Sequence, residues 1–174
     1  MIEANNPKLK SWVDVPEDNV FPIQNLPFGI FSTSSRDARP GVAIGEQILD
    51  LQYLSVQGLL DGLGFENSDF NSCVLNQVIN RGKAATTALR NRVSQLLREG
   101  CDESADTDSA LVSMSEATMH MPVEVGDYTD CYSSEDHARN VGKMFRDPKN
   151  ALLPNWKHMP CLLYTSDAAD DVRS

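Results

Sequence analysis

Gly41-Val42-Ala43-Ile44-Gly45-Glu46-Gln47-Ile48-Leu49-Asp50-Leu51 decides how this chain folds. Two short apolar runs flank Gly45-Glu46, and a glycine-containing pair between such runs reads as a tight hairpin. Upstream, Phe28-Gly29-Ile30-Phe31-Ser32 reads as another strand, and Pro22, Pro27 and Pro40 punctuate the ends. Strands this short and this broken by glycine curl into a small barrel or sandwich, because an isolated hairpin buries too little surface to stand alone.

Further along, the pattern turns helical. Over residues 75–97, Ala85, Leu89, Val93 and Leu96 recur on one face of a helix. Arg81, Lys83, Arg90, Arg92 and Arg98 are then expected mostly in solvent. Gly82 costs such a helix about 1 kcal/mol relative to alanine, which leaves open two shorter helices or a start after the glycine. Gly100 is a natural stop. Cys101-Asp102-Glu103-Ser104-Ala105-Asp106-Thr107-Asp108-Ser109 is acidic, small and without periodicity, and reads as a surface loop or linker. The expected organisation is a first domain over 15–110 and a second unit over 111–160. Residues 161–174, opening Cys161-Leu162-Leu163-Tyr164-Thr165-Ser166-Asp167-Ala168-Ala169-Asp170, resemble a translated sequencing adapter and stand outside fold reasoning.

The 174 residues, 41% hydrophobic and 23% charged, suit a soluble globular chain of one domain and part of another. A formal net charge of -10 disfavours nucleic acid or an anionic membrane surface as partner, since both need a basic footprint. No apolar run approaches the ~20 residues that span a bilayer, and the first residues lack a signal-peptide layout, so a cytoplasmic location is expected. Cys73, Cys101, Cys131 and Cys161 form no CxxC pair and are expected as reduced thiols.

Chemistry-bearing residues gather in ATMHMPVEVGDYTDCYSSEDHARNVGKMFRDPKNALLPNWKHMP, residues 117–160. Asp130 and Tyr132 are two apart and would share one face of an extended strand. His137 could reach the same point after a turn at Ser133-Ser134. Each also has a plain reading. Asp130 can cap the next turn, Tyr132 can be a core or interface aromatic, His137 a surface residue of a helix, and Arg146 a surface cation beside Asp147. Spacing alone defines a polar site and nothing more.

The string Gly126-Asp127-Tyr128-Thr129-Asp130-Cys131-Tyr132-Ser133-Ser134, then His137-Ala138, Asn140-Val141-Gly142, Met144-Phe145-Arg146 and Asn150-Ala151-Leu152-Leu153-Pro154-Asn155-Trp156, resembles the fumarylacetoacetase family. Phe21-Pro22-Ile23-Gln24-Asn25-Leu26-Pro27-Phe28-Gly29-Ile30-Phe31-Ser32 and the hairpin stretch agree with the start of the same enzymes. The resemblance implies a mainly β fold with helices: an SH3-like small barrel, then the incomplete start of a mixed β-roll catalytic domain. It implies metal-dependent hydrolysis of a carbon–carbon bond in 4-fumarylacetoacetate, giving fumarate and acetoacetate, the last step of tyrosine and phenylalanine breakdown. By position, Asp130 matches the first metal ligand, Tyr132 and Arg146 the substrate-binding residues, and His137 the general base. The implied cofactor is Ca2+ or Mg2+, the substrate a small diketo acid, and the complete assembly a homodimer.

These roles suit the residue types. A hard dication prefers oxygen donors, histidine has an ordinary pKa of about 6.5 that suits a base at neutral pH, and a guanidinium clamps a carboxylate in two-pronged fashion. The resemblance places the other metal carboxylates beyond Pro160, so the stretch itself is expected to be inactive. His120 and His158 are read as structural. The competing reading is a non-catalytic small-barrel interaction module, since such barrels host many functions. Strands lacking their partners predict aggregation or disorder after about Leu111, with apolar side chains exposed around Leu152, Leu153 and Trp156.

Overall fold

The computed structural model describes residues 3–127, 134–154 and 156. They fall into two compact units, Met1–Glu124 and Val125–Ser174.

In the first unit, β1 (Phe28–Ser32), β2 (Arg39–Ile44) and β3 (Gln47–Asp50) form an antiparallel meander. β4 (Leu111–Ser113) adds to β3, and β5 (Thr118–His120) adds to β1, giving the order β4-β3-β2-β1-β5. Two strands adjacent in sequence thus hold opposite edges of one sheet. In a flat sheet those edges would be about 19 Å apart, four spacings of ~4.8 Å. The short link between them holds the 3-10 turn Met114–Glu116, which rises only ~2 Å per residue. That link cannot cross a flat sheet, so the sheet curls into a half-barrel, consistent with the small barrel that is one of the two forms the short strands predict. The hairpin turn falls where expected, with Ile44 opposite Gln47. Gly45, first of its two central residues, has φ +52°, the left-handed backbone that a type II′ turn requires there.

Alternation along the strands gives the sheet two apolar faces. Val42, Ile44 and Leu49 are buried against a layer of helices that includes Leu54, Leu89, Val93, Leu96 and Leu97. Phe31, Ile48 and Val112 point the other way and fill the barrel interior with Met114 and Ala117. Gly41 sits where these side chains leave no room: a Cβ there would lie 2.6 Å from Ile48 Cγ2 and 2.8 Å from the Phe31 ring. Gly41→Ala is therefore expected to destabilise the chain by ~1–3 kcal/mol through overpacking. A urea midpoint unchanged from wild type would contradict it.

The helices lie between β3 and β4. They are α1 (Leu51–Val56), α2 (Asn67–Phe70), α3 (Asn76–Asn80), α4 (Gly82–Leu97) and α5 (Ser104–Asp108). Of the alternatives at Gly82, two helices form, and the glycine at φ +84° marks the break. Leu89, Val93 and Leu96 are buried on α4 as their spacing predicts, and Ala85 is half-buried.

Two expectations are corrected. The arginines are not simply solvated. Arg90 donates to the Leu26 and Gln24 carbonyls, Arg92 to Leu59 O and Glu103, Arg98 to Glu3, and Arg81 makes a two-pronged pair with Asp69. The hydrogen bond to Asp69 leads the causes that raise the Arg81 guanidinium above its ordinary pKa. α4 ends at Leu97, where the helical pattern of residues 75–97 ends, and an N-terminal strap takes its last carbonyls. Trp12 Nε1 donates to Leu96 O at 2.8 Å, and Ser11 Oγ and the Trp12 N–H donate to Leu97 O, satisfying acceptors that a helix end leaves open. The acidic stretch after Gly100 is not all loop, since α5 forms within it and buries Thr107.

The boundary expected near Leu111 falls between α5 and β4, and the compact unit extends to Glu124. Residues 111–113 and 118–120 are paired within the barrel, which corrects the expectation of disorder from Leu111 onward.

The described part of the second unit holds α6 (Glu135–Phe145) and the 3-10 turn Pro148–Asn150. Ala138, Gly142 and Ala151 are buried there, while Met144 and Phe145 are 75% and 79% exposed. Leu153 is also exposed, as the sequence predicts, whereas Leu152 and Trp156 are half-buried.

Candidate active site

Ser134 starts α6. Its hydroxyl accepts the backbone N–H of His137 at 3.3 Å, satisfying one of the free donors of the first turn. Glu135 and Asp136 follow, carboxylates placed where a helix N-terminus favours negative charge. Glu135 also pairs with Arg139 one turn on. His137 thus sits at the third helical position, with its side chain exposed.

Arg146 is at the opposite end. Its N–H closes the last turn on Gly142 O at 2.9 Å, and it then leaves the helix in extended backbone, φ -142° and ψ 165°. Nine residues of helix set His137 and Arg146 about 13 Å apart along the axis. Asp147 caps the following 3-10 turn by accepting the Lys149 N–H at 2.8 Å. That turn returns Ala151 to α6, where Arg146 Nη1 donates to Ala151 O at 3.4 Å. Gly142 permits this return, because a Cβ on it would collide with the same carbonyl oxygen. A glycine inside a helix costs about 1 kcal/mol, which is the one sequence signal that could have singled Gly142 out.

Asp130 and Tyr132 lie outside the described residues. The structure therefore brings forward His137 and Arg146 at the two ends of one helix. Among the described residues, no three His, Cys, Asp or Glu side chains could hold a metal ion together. A calcium ion takes 6–8 oxygen donors, so the described residues do not make a site for it.

In the first unit, His120 Nε2 lies 2.7 Å from Ser32 Oγ, tying β5 to β1; His158 lies outside the described residues. An apolar groove of about 320 Å³ opens among Phe21, Phe28, Phe31, Ile48, Met114 and Met119, and its walls carry no acid, base or nucleophile. Cys73 and Cys101 are free thiols, and Cys131 and Cys161 lie outside the described residues. Sequence reading passed over Asp50, which is buried, caps α1 through Tyr53 N–H and receives Arg36 Nη1 at 2.9 Å. Its place at the junction of a strand and a helix, as Asp50 before Leu51, was the available signal. No helix among the described residues is long and apolar enough to cross a membrane.

The chain matches the fumarylacetoacetase N-terminal family over residues 24–122 and belongs to that family. It is 47% identical over 159 residues to a fumarylacetoacetase of Caenorhabditis elegans, covering 87% of this chain and 38% of that protein. The fumarylacetoacetase of Homo sapiens is 46% identical over 158 residues, covering 86% of this chain and 37% of that protein. That of Arabidopsis thaliana is 41% identical, covering 87% of this chain and 38% of that protein. The chain spans about two fifths of the length of the curated relatives it matches.

Proposed function

We propose that the complete protein is a fumarylacetoacetase, hydrolysing the carbon–carbon bond of 4-fumarylacetoacetate to fumarate and acetoacetate, and that the stretch described here does not turn over by itself. One observation carries this reading: the identity to proteins of that name. Alignments spanning 86–87% of the chain omit too few residues at either end to miss Asp130 to Arg146.

In this reading His137, exposed at the start of α6, takes the proton of the attacking water. Arg146, freed from the helix at its other end, receives a substrate carboxylate, and Tyr132 helps to orient the diketo acid. A guanidinium carries five N–H donors, so one spent on Ala151 O leaves enough for a two-pronged grip. Local capture of this kind suits an acidic chain whose net charge repels anions at long range. Asp130 is proposed as one ligand of Ca2+ or Mg2+, the other donors coming from elsewhere in the complete protein. A cytoplasmic homodimer is proposed as the working form.

The test is to produce the full-length protein encoded with this sequence and follow loss of 4-fumarylacetoacetate with calcium or magnesium present. Steady hydrolysis to fumarate and acetoacetate is the expected result; a folded, full-length protein inert toward diketo acids would overturn the reading. Within that assay Arg146→Ala is expected to raise KM by ~10–100-fold, the usual worth of hydrogen bonds to a charged group, with kcat changed much less. An unaltered KM would remove Arg146 from the substrate grip.

A further inference from the structure

We infer that Gly142 is a positioning residue for Arg146, setting the enzyme's affinity for its anionic substrate through a backbone contact that only glycine permits. The inference rests on the reading of Arg146 as the carboxylate grip, and it goes beyond that reading by naming what holds the guanidinium in place.

The geometry is a closed knot. Arg146 is tied to Gly142 at its own backbone, through the N–H to Gly142 O bond of 2.9 Å. Its side chain is tied to Ala151 through Nη1 and the carbonyl at 3.4 Å. Ala151 in turn rests on Gly142: it is 1% exposed, and its carbonyl oxygen occupies the space that any larger residue at 142 would need. The oxygen that would meet a new Cβ is the oxygen that receives the guanidinium. A methyl group at 142 must therefore push away the anchor of Arg146 or deform the end of α6. Neither Gly142 nor Ala151 carries a side-chain functional group, so the effect expected on binding is the one that passes through Arg146. A guanidinium turned out of its two-pronged geometry grips a carboxylate less tightly.

The experiment uses the full-length enzyme, with 4-fumarylacetoacetate as the varied substrate and four proteins: wild type, Gly142→Ala, Arg146→Ala and the double variant. Gly142→Ala is expected to raise KM ~10-fold with kcat within ~3-fold of wild type, and to change nothing further once Arg146 is alanine. That non-additivity marks two residues acting as one unit. The same fold-loss from Gly142→Ala in both backgrounds, or a fall in kcat with KM unmoved, would overturn the inference. If Arg146→Ala alone leaves KM unchanged, the grip itself is wrong, a failure read on a different variant. Should Gly142→Ala not fold, Asp147→Ala replaces it. That change loosens the 3-10 turn by removing the cap on Lys149 N–H and introduces no clash. It is expected to raise KM ~3-fold in the Arg146 enzyme and not in the Arg146→Ala enzyme, and an unchanged KM in the Arg146 enzyme would equally overturn the inference.

Discussion

His137→Ala is expected to lower the kcat of the full-length protein in the proposed hydrolysis by ~10²–10⁴-fold, the range by which a positioned general base accelerates proton removal. The loss should fall on kcat and on kcat/KM alike, with KM little changed, because a proton acceptor for water acts in the transition state rather than in substrate capture. A folding explanation is separable. The hydrogen bond that His137 gives to the cap of α6 comes from its backbone N–H to Ser134 Oγ, and alanine keeps that donor. The side chain is exposed, and surface substitutions of this sort usually shift stability by no more than ~0.5 kcal/mol. Thermal unfolding of the variant measured beside wild type separates a folding effect from a catalytic one. Activity within threefold of wild type would remove His137 as the base.

The barrel was legible because its signals are local. Gly45-Glu46 between two apolar runs states a turn, and the runs themselves state strands, whose two faces the fold buries. α4 was legible for the same reason, while at Gly82 the sequence left two alternatives and the fold chose two helices. What the residues near α4 do was not. Arg90 reaches carbonyls at Leu26 and Gln24, more than sixty positions earlier in the chain, and Trp12 ends the helix from more than eighty positions away. Partners at such separations leave no mark in a helical pattern, so charged side chains on the polar face look solvated.

The site divides similarly. Spacing supports no more than a polar cluster, and the roles of Asp130, Tyr132, His137 and Arg146 came from the resemblance. The structure adds that His137 and Arg146 bracket one helix. Gly142 carried one signal, the cost of a glycine inside a helix, but the carbonyl that fills the place of its side chain is set by the fold.

Asp50→Ala is expected to destabilise the chain by ~2–4 kcal/mol, read as a lowered urea midpoint with unchanged slope. The carboxylate is 1% exposed and serves two masters. One oxygen accepts the Tyr53 N–H at 3.0 Å and starts α1, a cap whose loss costs ~1 kcal/mol by itself. The other oxygen receives Arg36 Nη1 at 2.9 Å and faces Arg39 Nη1 at 3.7 Å. Removing it strands two guanidinium groups beside the barrel, but both arginines are partly exposed and can turn to water, which holds the cost below that of a fully buried orphan charge. Asp50→Asn separates the two duties, since an amide oxygen can still cap Tyr53 while the negative charge is gone. The asparagine variant is expected to lose about half as much, ~1–2 kcal/mol. Equal losses in the two variants would assign the effect to charge alone. An alanine variant within ~0.5 kcal/mol of wild type would show that Asp50 holds neither the helix start nor the arginines, and that the burial of its carboxylate has some other cause.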